Sequence, residues 1–552
     1  MLPRHAPILT AATALFTAVA CAAPDPTPQS SSAIWTDGTF TDWDGIAATV
    51  TDPTGDTPAG SPVDLRAVTI RDDPRYLHLL VDLGHTVTAQ GMPGSVEIVL
   101  DADGDPGTGG PYAGVEGADL AIVLSRQRDP TVDAYGAGVG IRRIGPSGAG
   151  EPGSAGTVGL LVSPTHSSAR FEVRLDRGAV TADAGGASDA AHAIAGRVVY
   201  LRGGNVVDET PVFTHVLATA PGDAPPLIGA HAIAKLPGTF RVVTWNVSDG
   251  NFRDTPEPFG RVVAALGADV VLLDEVYSDV TPADLSRFSD MLGSTSAGLA
   301  TESTGRSADR SPWNWWLAAG GGRQRTAVGA SGGVARGEPL LARIDHAPGA
   351  LDRWLQEVGD EPEAPRMAPS SALARAETEG GLSATGAWVT VGQDEILFVP
   401  VDLQSAGHDG SPRDRLRELQ AHTLNRAIAA ALQERPGAGL VVGGDLNLVG
   451  SARPLDELVR GLGADGTDLD VARPGRLRER SLATWRSTHP QDPFSPGRLD
   501  YVLYRGGVLQ VERAFVFDAV DLSETARQEL NVHEEDTRRS DHLPLVVDFR
   551  MR

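Results

Sequence analysis

Lysine is all but missing from this chain. Lys235 is its sole example, so nearly all of the 47 basic residues are arginine; 72 acidic residues outnumber them and leave a net charge of −25. A chain this acidic repels polyanions at long range. That excludes a broad phosphate-neutralising surface, on which tight non-specific DNA binding depends. It also disfavours a processive nuclease, although a local basic cleft stays open. Cysteine is nearly absent too: Cys21 is the only one, so no intramolecular disulfide can form. Stability must then rest on burial, hydrogen bonds and bound metal. The apolar stretch from Ile8 to Ala20 is too short to span a bilayer, and no other segment is long enough. Internal repeats are missing, and long helical periodicity is missing before about residue 220.

What is present divides the 552 residues into several parts. Arg4 and His5 precede the apolar stretch, and small residues surround Cys21, so residues 1–23 read as an export signal. Ala18-Val19-Ala20-Cys21 resembles a bacterial lipoprotein box with Ala where Leu is usual. Lipidation of Cys21 and a plain signal cleavage both stay open. Either outcome implies an extracellular or periplasmic protein. Residues 24–32 form a polar tether. Residues 33–222 carry many short alternating runs separated by Gly, Pro and Asp turns, the pattern of an all-β sandwich. Among them are a hairpin over Leu65–Leu83 and a strand at Val96–Leu100. A Pro-rich linker is expected at 223–238. Strands then alternate with helices over 239–552, an α/β pattern, with a long amphipathic helix at Arg413–Gln433. Ser294–Ser383 reads as long surface loops containing Trp313, Trp315 and Trp316, for which packing is the default reading. Arg323 and Arg325 offer charge to an anionic substrate or to solvent.

Five segments of the second half set polar residues at the ends of apolar strands, which converge on one rim of a sheet. Asn246 closes Val242–Val247, and Glu275 follows Val270–Asp274. Asp445 and Asn447 sit two apart after Leu440–Val442, so they face one way on an extended chain. Asp500 opens Asp500–Leu503, and Asp541 adjoins His542 ahead of Leu545–Phe549. Each has a bland reading alone, as a turn cap, a solvated carboxylate or a surface histidine. Their joint occurrence points to one oxygen-rich pocket.

TWNV at 244–247, DVVLLDEV at 269–276, GGDLN at 443–447, RLDYVL at 498–503 and SDHLPL at 540–545 resemble, in order, the motifs of the endonuclease/exonuclease/phosphatase superfamily. The resemblance implies a DNase I-like α/β four-layer β-sandwich flanked by helices. It implies that Glu275, Asn246 and Asp541 hold Mg²⁺ or Mn²⁺, hard cations suited to oxygen ligands. Asp445 would position and deprotonate the attacking water, with Asn447 holding that water or the phosphate. His542 would donate to a phosphoryl oxygen, and Asp500 would orient the imidazole. One position departs from the pattern. Many members carry a second histidine where this chain has Asp402. Three readings stay open: Asp402 acts as an acid or an extra ligand, His408 substitutes from the next loop, or activity is reduced.

In the first half, Asp101, Asp103 and Asp105 alternate in a glycine-rich loop, spacing that suits Ca²⁺. A solvated hairpin loop is the plain alternative. Pro106 and Tyr112 exclude an EF-hand. Together with Asp42-Trp43-Asp44-Gly45, this region weakly resembles modules related to family 9 carbohydrate-binding domains. That resemblance implies a glycan partner, with Trp43 as a stacking surface or, more ordinarily, as core.

The sequence therefore reads as a monomeric exported hydrolase of a phosphodiester or phosphomonoester. Nucleic acid, phospholipid and small phosphate esters all stay open as substrates. The alternative is a non-catalytic surface binding protein with a degenerate phosphoesterase-like half.

Overall fold

The computed structural model describes residues 33–126, 138–148, 150–183, 193–217, 224–248, 250–295, 313–332, 334, 337–350, 353, 356, 380–487 and 494–552. The export signal, Cys21 and the tether lie outside them. Ile34–Arg552 forms one compact unit. Among the described residues no helix is long and apolar enough to cross a membrane.

The first half is all β. Two antiparallel sheets enclose one core built from Val68, Ile70, Leu79, Val81, Ile98, Leu100, Ile122, Phe171 and Val198. The expected hairpin is present as Ala67–Asp72 and Tyr76–Val87, turning at Asp73, whose Oδ1 accepts from Arg75 and Tyr76 N–H (both 2.8 Å). Alternation places every second residue in the core.

The second half has the DNase I-like architecture. One sheet runs Asn314–Leu317, Gln324–Ala330, Val270–Tyr277, Phe240–Asn246, Leu545–Met551, Leu509–Val516 and Gly475–Arg476. The other centres on Gly386–Val391, Asp394–Asp402, Gly439–Asp445 and Asp500–Tyr504. Val242, Leu272, Val328, Phe398, Val441, Val502 and Phe549 fill the space between the sheets. The helix Glu257–Leu266 covers the outer face of the first sheet. The helix Pro412–Glu434 covers the second, burying Leu416, Ala421, Leu424, Ile428 and Leu432. Ser411 caps its N-terminus by accepting from Asp414 N–H, and Pro412 suits the first turn because it needs no donor there. Sheets buried on both faces have no polar side, which is why their central strands read as continuous apolar runs.

One expectation needs correction. Ser294–Ser383 was expected to be loop, yet Gln324–Ala330 is an inner strand of the first sheet, pairing with Val270–Tyr277. Its sequence, QRTAVGA, is rich in small residues because Trp315 lies over Gly329, where a Cβ would meet the indole at 2.5 Å. Arg325, a candidate for substrate or solvent, instead donates to the Val280 carbonyl. The segment expected as a linker packs on the second half: Ile233 is buried, and Ile228 and Ser523 exchange backbone contacts with Asp521 and Ile228.

The two halves touch near the second sheet. Thr165 Oγ1 donates to Leu448 O (2.8 Å), and Ser167 N–H donates to Gly450 O (2.7 Å). Arg174 pairs with Glu479 at 2.6 Å.

Gly443 and Gly444 have no room for a side chain. A Cβ on Gly443 would crowd Leu272 and Thr244 at 3.0 and 3.2 Å; one on Gly444, at φ +143°, would meet Val401 O at 2.0 Å. Gly444→Ala should lower the unfolding free energy by about 2–3 kcal/mol, seen as an earlier urea midpoint with an unchanged slope.

Candidate active site

The strand ends do converge. Asp402, Asp445 and Asp500 stand directly opposite one another on three neighbouring strands of the second sheet. On the facing sheet Asn246 pairs in register with Asp274. The loop carrying Asp541 and His542 leads into the adjoining strand Leu545–Met551.

His542 bridges the sheets. Its Nδ1 lies 2.8 Å from Asp500 Oδ2 and its Nε2 lies 3.6 Å from Asp445 Oδ2. Burial opposes charging the imidazole, but Asp500 and Asp445 outweigh it and hold the pKa well above its usual value. A protonated His542 donates hydrogen bonds from both ring nitrogens. Asp445 is 2% exposed. Burial raises its pKa to about 7 against the opposing pull of His542, with Asp500 and Glu275 adding to the rise. A carboxylate poised near neutrality suits a general base. Asn447 N–H donates to Asp445 Oδ1 (2.8 Å) from the left-handed region at φ 48°, so it turns its side chain back to Leu403 O (2.9 Å) and Asp402 Oδ1 (3.4 Å).

The supports for these groups come from all sides. Trp245 Nε1 donates to the His542 carbonyl (3.0 Å), while Ser540 Oγ donates to the Asn246 carbonyl (2.7 Å) and accepts from His542 N–H (3.0 Å). The fully buried Asp414–Arg417 pair (2.9 Å) fixes two rim loops. Arg417 donates to Gln404 O and Ala406 O, after Asp402; Asp414 accepts from Ser451 N–H, after Asn447.

Sequence reasoning missed two contributors. Thr484 Oγ1 donates to Asp500 Oδ2 (2.6 Å) and accepts from Asp500 N–H (3.0 Å); Trp485 Nε1 donates to Asp541 Oδ2 (2.9 Å). Neither belongs to a motif, and nothing local marks them. Asp274 was read as a strand residue before Glu275. It is fully buried between the sheets, and its carboxyl is held well above the usual range by burial and by Asp500, Asp402 and Asp445. An acid ending a buried strand was the available signal.

His408 does not replace the missing histidine. It is exposed in the loop beyond Asp402, with Nδ1 against Asp409 O. Asp402 itself remains at the rim, 9% exposed. In the sandwich, the expected Asp101, Asp103 and Asp105 set is corrected. Asp101 and Asp103 gather with Asp119, whereas Asp105 folds back to accept from Gly107 N–H (2.8 Å). The loop turns too tightly for the third alternating acid to face the first two. A second triad, Asp52, Asp56 and Asp208, was not foreseen. Trp43 is core, 4% exposed, and donates to Glu172 (2.9 Å). Trp315 packs on Phe288 and donates to Ser289 Oγ (2.7 Å), so that aromatic cluster is packing.

The model of the Endonuclease/Exonuclease/phosphatase family matches residues 243–542, from the Asn246 strand to His542. The chain belongs to this family. Solved structures similar to it include the human Nocturnin catalytic domain with bound sulfate, 16% identical, covering 58% of this chain and 97% of that one at a TM-score of 0.34. Truncated Caenorhabditis elegans TDP2 is 15% identical over 56% of this chain and 98% of that one, at 0.34. The 3′ phosphatase NExo from Neisseria is 16% identical over 56% and 99%, at 0.33. No curated protein matches the chain.

The donors of this family member fit a hard divalent cation. Asn246, Glu275 and Asp541 offer amide and carboxylate oxygens with no sulfur. Asn246 Oδ1 accepts from Ser248 N–H (3.0 Å), leaving it one lone pair. A raised imidazole pKa means that its pairing with Asp500 stabilises the fold fully below about pH 6.5, and that this contribution fades as pH climbs through the raised value. In EDTA, the stability margin of wild type over Asp500→Asn should be about 1.5–3 kcal/mol at pH 6 and shrink toward alkaline pH. Chemical denaturation across a pH series measures it.

Proposed function

We propose that this protein is a divalent-metal-dependent phosphoester hydrolase acting outside the cytoplasm. The observation that carries the reading is the buried chain from Asp500 through His542 to Asp445, at 2.8 and 3.6 Å. It sets a cationic donor beside a carboxylate poised near pH 7, the pair needed to hold a phosphoryl oxygen and take a proton from water. Mg²⁺ or Mn²⁺ held by Glu275, Asn246 and Asp541 would supply charge stabilisation at the phosphoryl group. Asp445 orients the water and accepts its proton. Asn447 steers that carboxylate through its own N–H. His542 donates from Nε2, with Nδ1 anchored on Asp500. Asp402, bonded to Asn447, positions it from the neighbouring strand.

Export is part of this reading and is supported by Arg4, the apolar stretch ending at Ala20 and the small residues around Cys21. A lipid on Cys21 is its anchored form. The substrate is a phosphodiester or phosphomonoester within a nucleic acid, a phospholipid or a small molecule, and the net charge of −25 weighs against long polyanions.

Purified protein should hydrolyse bis-p-nitrophenyl phosphate with Mg²⁺ or Mn²⁺. EDTA should abolish turnover, and re-added metal should restore it. Asp445→Asn should lose at least about 10³-fold in kcat, by analogy with loss of an activated proton acceptor, while keeping its circular dichroism spectrum. Full activity in that variant would refute the assignment.

A further inference from the structure

The floor of the cleft holds a carboxylate that the proposed ligand set leaves out. Asp274 is fully buried, and among the described residues neither of its oxygens has a hydrogen-bond partner. Its surroundings repeat the pattern. Thr244 Oγ1, Thr326 Oγ1 and Asn246 Nδ2 are also buried and unpartnered. Thr244 and Asn246 lie on the strand paired in parallel with that of Asp274, and Asn246 stands opposite it.

On the other side the strand bulges. Leu273 pairs with Ala327 and Val276 with Arg325, so Asp274 and Glu275 together face Thr326. Glu275 takes up the extra residue at φ 53°. A bulge breaks strict alternation and re-aims side chains, so two successive acids can serve one rim. The charged groups that face Asp274 are Asp500, Asp402, Asp445 and His542, from three strands of the opposite sheet and one loop. Three of the four are acids.

A carboxylate buried without donors and ringed by other carboxylates is costly unless a cation meets it. His542 is committed to Asp500 and Asp445. The geometry points to Asp274 as a further ligand of the divalent cation that Asn246, Glu275 and Asp541 would hold. This assignment rests on the metal-dependent reading above. It accounts for the two partnerless oxygens of Asp274.

The test uses the full chain and Mn²⁺ alone, without substrate. Mn²⁺ affinity is read by electron paramagnetic resonance of the free ion, and unfolding temperature is followed in EDTA and in Mn²⁺. Asp274→Asn keeps the size and removes the charge. It should bind Mn²⁺ roughly tenfold more weakly or worse and lose most of the Mn²⁺-dependent rise in Tm. Its Tm in EDTA should equal or exceed that of wild type, because a buried acid without partners is gone. Asp274→Ala should show the same loss of affinity. Wild-type affinity in Asp274→Asn would overturn the assignment and leave metal dependence standing. A wild-type protein that binds no Mn²⁺ would overturn both.

Discussion

Like charges crowded into a dry place constrain this molecule more than any other feature. Asp402, Asp445 and Asp500 occupy one row across three strands, Asp274 faces them, and all are at least nine-tenths buried. Left alone, such a row would push the strand ends apart or force its members to take up protons. Among the described residues His542 is bonded to two of them, Asp445 and Asp500. The surrounding structure must therefore hold the row in place. It does so with the two aligned sheets, with the Asp414–Arg417 pair pinning two rim loops, and with Thr484 clamping Asp500. The cost of assembling the site is met by the core around it, which is a general pattern for functional sites.

Much of this was legible in the sequence, for a physical reason. A strand buried on both faces must be apolar throughout, so the polar residue that ends it stands out. That is why Asn246, Glu275, Asp445, Asp500 and His542 were identifiable, and they do gather. Asp274 escaped notice by the same logic: it belongs to the same apolar run as Glu275, and period-two alternation assigns only one of two successive residues to the rim. The bulge that gives both a role leaves no mark in composition. Thr484 and Trp485 were illegible because their partners lie at Asp500 and Asp541 and they sit in a segment without regular strand pattern. The strand Gln324–Ala330 was hidden by its small residues, which reflect the indole of Trp315 lying on Gly329. At Asp105 the alternation rule failed because a tight loop is not an extended strand.

The departure at Asp402 takes on a definite meaning in this setting. A histidine there would add a second cationic donor to the row. An aspartate instead accepts from Asn447 Nδ2 (3.4 Å) and adds one more negative group. The row is thereby one acid longer.

The sandwich bears on this centre although none of its residues belongs to it. Thr165 and Ser167 take up the carbonyls of Leu448 and Gly450, one and three residues after Asn447. Severed at residue 239, the catalytic half would keep every motif residue and yet leave those two carbonyls to water. The loop that aims Asn447 at Asp445 would lose its outer mooring. The first half of the chain is thus a buttress for the loop that follows Asn447.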